Sequence, residues 1–237
     1  MMRDIITEIR QDLLERVDEE YRTGSTKFFR EEVNILGVKT PDVRKIARMY
    51  FPIVSDMSKK DLFDLSEKLL AGEYFEEITI GLDWIARLKD GYKKSDFSKF
   101  KKWLTKYIKN WAHCDDFCSH SLGLMLDKYP ELLDEVIENW SRSKNRWFRR
   151  ASAVSLIYVI RRDEKLSKVF RVADKLIKDE DDLVRKGLGW LLRETWERYP
   201  SDVYRYLEKN KPKLARVTFR YAIEKMNKGQ KEAMMRK

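Results

Sequence analysis

Cysteine is nearly absent from the 237 residues: only Cys114 and Cys118 occur. Two are too few for a disulfide framework, and a helix holding them four residues apart gives them no reason to be bridged. Proline is scarce at 5 and glycine at 9, a balance that leaves little room for long loops. No run approaches the ~18 apolar residues of a membrane span. The opening stretch MMRDIITEIRQDLLERV is charged throughout and lacks the apolar centre of a signal peptide, so a cytoplasmic protein is expected. Strand alternation is nowhere sustained, which excludes a sheet-based fold. A Gly-rich phosphate cradle is also missing, as is a convergent metal-binding set, and no cofactor is expected.

What the chain has is charge and apolar helix pattern. Charged residues make up 38%, hydrophobic residues 43% and aromatics 12%, the composition of a folded, helix-rich protein. The net charge of +10 and the pI near 9.4 point to an anionic partner, nucleic acid or an acidic membrane surface, with a merely solvated surface as the equal alternative. Apolar residues recur at helical spacing, as in Leu132, Leu133, Val136, Ile137 and Trp140, or Phe63, Leu65, Leu69 and Leu70. Breakers divide the pattern at TGST (23–26), LGVKTP (36–41), AGEY (71–74), KYPE (128–131), RRDE (161–164), KDEDD (178–182) and RYPSD (198–202). The expectation is all-α: roughly a dozen short helices in antiparallel pairs, stacked as a single α-solenoid domain of HEAT-like repeats over residues 1–237, with a concave face. A compact helical bundle is the structural alternative. The segment NKGQKEAMMRK (227–237) is expected to be a frayed basic tail.

Three stretches could carry chemistry. In NWAHCDDFC (110–118), winding the chain from Trp111 to Tyr129 at 3.6 residues per turn places Trp111, Cys118, Leu122, Met125, Leu126 and Tyr129 on one face, with Asp115 in its middle. A carboxylate in such a stripe meets a cation, ends a cavity, or answers the helix dipole from the first turn. Asp116 points elsewhere, towards the surface. His113 and His120 share a different face from the cysteines, so the four cannot converge on a metal. In NRWFRRASAVSLIYVI (145–160), Arg150 borders an apolar face; either its stem packs while its head reaches water, or its fork is aimed at phosphate. In DDLVRKGLGWLLRETWERYP (181–200), Val184, Leu188, Leu191 and Thr195 form the stripe. Trp190 falls on a flank shared with Lys186, Arg193 and Glu197, with Gly187 and Gly189 around it; it packs on a neighbouring helix or is left to stack on something flat.

Together these motifs resemble the DNA alkylation repair enzymes of the AlkD type, HEAT-like-repeat alkylpurine DNA glycosylases. The resemblance runs from ILGVKTPDVRKIAR (35–48), similar to the family's LG-x-x-T-P-x-x-R turn and helix, through NWAHCD and NRWFRRASA to RKGLGWLLRETWERYP. It implies that Asp115, Trp111 and Trp190 line the cleft around a damaged nucleoside and that Arg150 supports the DNA backbone. Arg149, Lys39, Thr40, Lys186 and Arg193 are the further expected DNA contacts. Many members carry an acid directly after the first tryptophan, where this chain has Ala112. The implied partner is double-stranded DNA containing alkylated bases, bound by a nucleoid-associated monomer without an obligate protein partner. N3- and N7-alkylated purines are cationic and leave readily, so a fixed carboxylate that stabilises positive charge developing on the deoxyribose would suffice, with water as nucleophile. A non-catalytic relative that binds bent or branched DNA is the alternative function, and a HEAT-type protein adaptor ranks behind both.

Overall fold

The computed structural model describes residues 4–162 and 166–236. The turn expected at 161–164 thus falls partly outside the described residues. Among the described residues there are helices and turns and no strand. The chain divides into two compact units, the first ending at Phe117 and the second beginning at Cys118.

The first unit holds α1 (Ile5–Leu14), α2 (Glu19–Thr26), α3 (Thr40–Val54), α4 (Lys59–Leu70), α5 (Phe75–Arg87), α6 (Phe97–Lys106) and α7 (Trp111–Phe117). Short polar side chains set several starts: Asp4, Asp18 and Ser58 each accept a free amide of the first turn. Helices α1, α3, α5 and α7 pack in sequence as one layer, and α4 lies against α5. Helix α6 joins α4 through Lys99 to Asp64 at 3.0 Å and Lys102 to Glu67 at 2.6 Å. The core of this unit centres on Ile9, Leu13, Ile46, Leu62, Ile80 and Trp84, all at most 1% exposed. The Trp84 indole N–H donates to the Ala47 carbonyl at 3.0 Å, so α3 and α5 are joined by a buried polar bond as well as by packing.

The second unit opens with a π-helical turn, Cys118–Leu122, and continues through α8 (Gly123–Lys128), α9 (Leu133–Glu138), α10 (Arg146–Ile160), α11 (Leu166–Leu176), α12 (Asp182–Trp196), α13 (Pro200–Asn210), α14 (Arg216–Ala222) and α15 (Lys228–Met235). Helices α8, α10, α12 and α14 form one layer. Helices α9 and α11 pack together in the other, where Tyr206 of α13 stacks on Phe170 of α11. Each helix meeting the next but one is the two-layer packing of an α-solenoid. The close approach within the first layer depends on glycine: a Cβ on Gly123 would lie 2.5 Å from the Cβ of Tyr158, and one on Gly189 2.5 Å from that of Tyr221.

The stripes expected from periodicity are buried: Val136, Ile137, Val184, Leu188, Leu191 and Thr195 are all at most 1% exposed. One local start and one expectation stand out. Helix α13 starts at Pro200 within the RYPSD breaker, because proline fits the first helical position. The segment expected to fray instead carries α15, where Asn227 and Gln230 form a capping box and Met234 is buried.

Candidate active site

Helix α7 carries the first part of the site and is held at several points. Asn110 caps it, its side-chain oxygen accepting the His113 amide at 2.9 Å. The His113 ring is buried and stacks on Phe75, with Nε2 3.0 Å from the Phe75 carbonyl and Nδ1 2.9 Å from the Asn110 amide nitrogen. A carbonyl can only accept, so Nε2 carries the proton and Nδ1 accepts from Asn110. Burial pushes this imidazole down to about 4, against the pull of the nearby Asp116 charge, so His113 is neutral at physiological pH.

A second anchor reaches α7 from α3. Arg44 donates to Asp83 of α5 at 3.1 Å and to Asp116 at 2.6 Å, and all three side chains are largely sheltered. Asp116 is therefore not the surface residue the sequence suggests but one end of a three-helix ion network. The arginine of the TP-x-x-R motif is the strut that holds it.

A third anchor fixes the loop that precedes α3. The buried carboxylate of Glu76 accepts the backbone amides of Leu36, Gly37 and Val38 at 3.0, 2.9 and 3.1 Å. Gly37 has φ +100°, a conformation side chains rarely adopt, and a Cβ there would press on Arg22 and the Asp18 carbonyl at 2.7 Å. The LG of the first motif is thus a turn clamped by an acid from α5, which nothing in the sequence indicated.

The first two anchors hold the helix that presents Trp111 and Asp115. Residues His113, Cys114 and Phe117 form the buried face of α7, while Trp111 and Asp115, one turn apart, share a half-buried flank. This corrects the expectation of Asp115 in a buried stripe. Uniform winding fails because the turn at Cys118–Leu122 is π-helical, so the 3.6-residue phase is not carried across it. Nor is Asp115 a first-turn acid: Trp111 begins the helix, which puts Asp115 in its second turn. The Trp111 ring stacks on Phe29 with centroids 5.6 Å apart, and its N–H donates to the Phe28 carbonyl at 3.3 Å. Both rings line an apolar cavity of about 340 Å³ whose wall also includes Thr40, Phe75 and Ala112. Lys39, next to Thr40, is paired with Asp18 at 3.0 Å.

In the second unit, Arg150 differs most from expectation. It is only 5% exposed and donates to the Leu183 carbonyl at the start of α12, with its stem against Gly187. Neither a solvent-facing head nor an open phosphate fork describes it; it ties α10 to α12. Gly187 makes room for this arginine and Gly189 for α14, so neither clears space around Trp190. Arg149 is held by Asp179 at 2.6 Å and by the Ser143 carbonyl at 2.8 Å. Lys186 pairs with Asp182 at 3.0 Å, and Arg193 pairs with Glu224. The cations expected to meet phosphate are thus paired with protein groups in this state.

Trp190 is half-buried on α12, and its N–H donates to Glu194 at 3.2 Å. Glu194 is 6% exposed, and its other contacts are cationic: Arg161 at 2.6 Å, Lys225 at 3.3 Å and Arg193 at 3.7 Å. Burial alone would raise its pKa, but the Arg161 and Lys225 bonds prevail and hold it below the usual carboxylate range. No group of three or more possible metal-ligating side chains occurs among the described residues, and no described helix is long and apolar enough to cross a membrane.

The motifs, their order and the all-helical layering define a class, and comparison with known proteins names it. The sequence matches the DNA alkylation repair enzyme family over residues 9–226, and the chain belongs to that family, with a role in DNA alkylation repair. No curated protein matches it significantly. Among solved structures it is similar to a predicted DNA alkylation repair enzyme from Enterococcus faecalis, at TM-score 0.79 and 14% identity, covering 90% of this chain and 98% of that one. It is also similar to the smu.31 protein of Streptococcus mutans UA159, at TM-score 0.61 and 19% identity, covering 78% and 93%. At these identities the likeness concerns the fold.

Proposed function

We propose that the protein is a monofunctional DNA glycosylase that releases cationic N3- and N7-alkylated purines from duplex DNA by hydrolysis of the N-glycosidic bond. The observation that carries this reading is the Trp111 and Asp115 pair, displayed on one half-buried flank of a helix held by the Asn110 cap, the buried His113 ring and the Arg44 bridge to Asp116. Rigid placement matters because a carboxylate stabilises developing positive charge only if it does not have to reorganise when the charge appears.

The alkylated base bears its positive charge in the ground state. As the bond to C1′ lengthens, that charge passes to the deoxyribose ring, and the base departs neutral. Asp115 stabilises the sugar cation and orients the water that adds at C1′. Trp111 and Trp190 contribute cation–π attraction of roughly 0.5–2 kcal/mol each to the charged lesion or sugar. No Schiff-base lysine is required, and the product is an abasic site. With Arg149, Lys186 and Arg193 paired internally, DNA phosphates must compete with protein carboxylates for these cations.

The test is direct: duplex DNA treated with a methylating agent is incubated with the protein, and free bases and abasic sites are quantified. Release of 7-methylguanine or 3-methyladenine, with one abasic site per base, is the expected result. Tight, salt-sensitive binding without release of either base would overturn the enzymatic reading in favour of a structural DNA-binding role.

A further inference from the structure

The acid that ends the GWLLRE motif has no part in the chemistry just described, yet among the described residues it is the one buried acid of the second unit. Glu194 lies one turn beyond Trp190 on α12, so the two side chains project from the same face. One carboxylate oxygen accepts the Trp190 indole N–H at 3.2 Å and also meets Lys225 at 3.3 Å; the other takes Arg161 at 2.6 Å. Arg161 follows the end of α10 and Lys225 follows α14, so cations from both neighbouring helices fix the acid and the acid fixes the indole. A tryptophan ring on a half-exposed flank otherwise samples several rotamers, and ordering it at the moment of binding would cost affinity.

We propose that Glu194 is a positioning residue for Trp190: it holds the indole by its N–H edge, so that the ring face is preset to meet a flat or cationic group on the nucleic acid. The inference rests on the proposed function for its consequence in catalysis, although the positioning itself is a property of the free protein. The negative charge at the indole edge also enriches the ring in electron density, which strengthens its attraction for a cationic lesion. The Arg161 and Lys225 contacts keep Glu194 charged for this purpose, and Arg193 supports it from the same helix at 3.7 Å.

The experiment uses the full chain with nitrogen-15-labelled tryptophan. The Trp190 indole N–H resonance is assigned by its disappearance in Trp190→Phe, and then followed in Glu194→Leu and Glu194→Gln. Loss of exchange protection in the leucine variant is expected. In the glutamine variant, which keeps an acceptor oxygen and preserves shape, the resonance shifts but stays protected. In base-release assays, Glu194→Leu lowers the single-turnover rate two- to thirty-fold, the factor that a cation–π contact of about 0.5–2 kcal/mol represents. Glu194→Gln restores most of that rate, and both effects vanish in a Trp190→Phe background. A Trp190 resonance unmoved in both Glu194 variants, or a Glu194 effect undiminished when Trp190 is already phenylalanine, would overturn the proposal. If the wild type releases no alkylpurine, the glycosylase reading fails on that result alone, and the indole resonance still decides whether Glu194 positions Trp190.

Discussion

His113 shows how one side chain can serve a site it does not enter. Its neutral ring fastens α7 to the Phe75 carbonyl, and its pKa is depressed to about 4 from an ordinary 6.5. The unfolded chain therefore binds a proton below about pH 6.5 that the folded chain refuses until about pH 4. The contribution is fully present above pH 6.5 and lost as pH falls through that window, at a slope of up to about 1.4 kcal/mol per pH unit. Urea unfolding midpoints between pH 7.5 and 4.5 should show this acid limb, and His113→Gln should lack most of it; a wild-type profile flat from pH 6.5 to 5 would contradict the assignment. Arg44 is the companion case. Removing it in Arg44→Met takes one cation from Asp83, which keeps Arg87 at 2.5 Å, and the 2.6 Å bond from Asp116, and a loss of about 1–3 kcal/mol in denaturant unfolding is expected. A change below 1 kcal/mol would show the network to be dispensable. None of these partnerships was legible in the sequence, because the pairs lie 72 residues apart for Arg44 and Asp116 and 38 for His113 and Phe75. Charge type announces that a partner exists, not which one.

At the scale of helices, most of the architecture was readable, because apolar period and breakers together specify where a helix runs and which side it buries. What escaped was any feature that depends on a neighbouring helix or on a break in period. The π turn at Cys118–Leu122 has no compositional mark, and the uniform 3.6-residue phase assumed from Trp111 to Tyr129 does not run through it. Arg150 was placed correctly on α10, but its burial depends on Gly187 of α12, a residue first read as clearing space for a tryptophan. The glycines make a paired prediction. Gly189→Ala places a methyl 2.5 Å from Tyr221 and 2.8 Å from a backbone oxygen of α14, and should destabilise by about 1–3 kcal/mol. Gly24→Ala in α2 meets nothing within 4 Å and should be stabilising by about 0.4–1 kcal/mol. Thermal unfolding of the two variants side by side checks both signs; equal shifts would refute the packing argument.

For the whole molecule, the charge of +10 is the one functional signal that needs no alignment of motifs. It predicts binding to undamaged duplex DNA that weakens steeply with salt: about six phosphate contacts imply on the order of 10³-fold loss between about 50 and 200 mM. Affinity indifferent to salt over that range would remove nucleic acid from the account. Charge cannot say what is done to the DNA, and family membership over residues 9–226 establishes alkylation repair without its chemistry. The chemistry rests on Asp115, whose residue type and position the sequence supplied and whose half-buried display beside Trp111 the structure adds. The most direct measurement is therefore the single-turnover rate of 7-methylguanine release by Asp115→Asn, made alongside its dissociation constant for undamaged duplex. The account predicts a rate lower by on the order of 10²–10³-fold, with binding to undamaged duplex nearly unchanged. An unchanged rate, or a loss wholly explained by weaker binding, would contradict it.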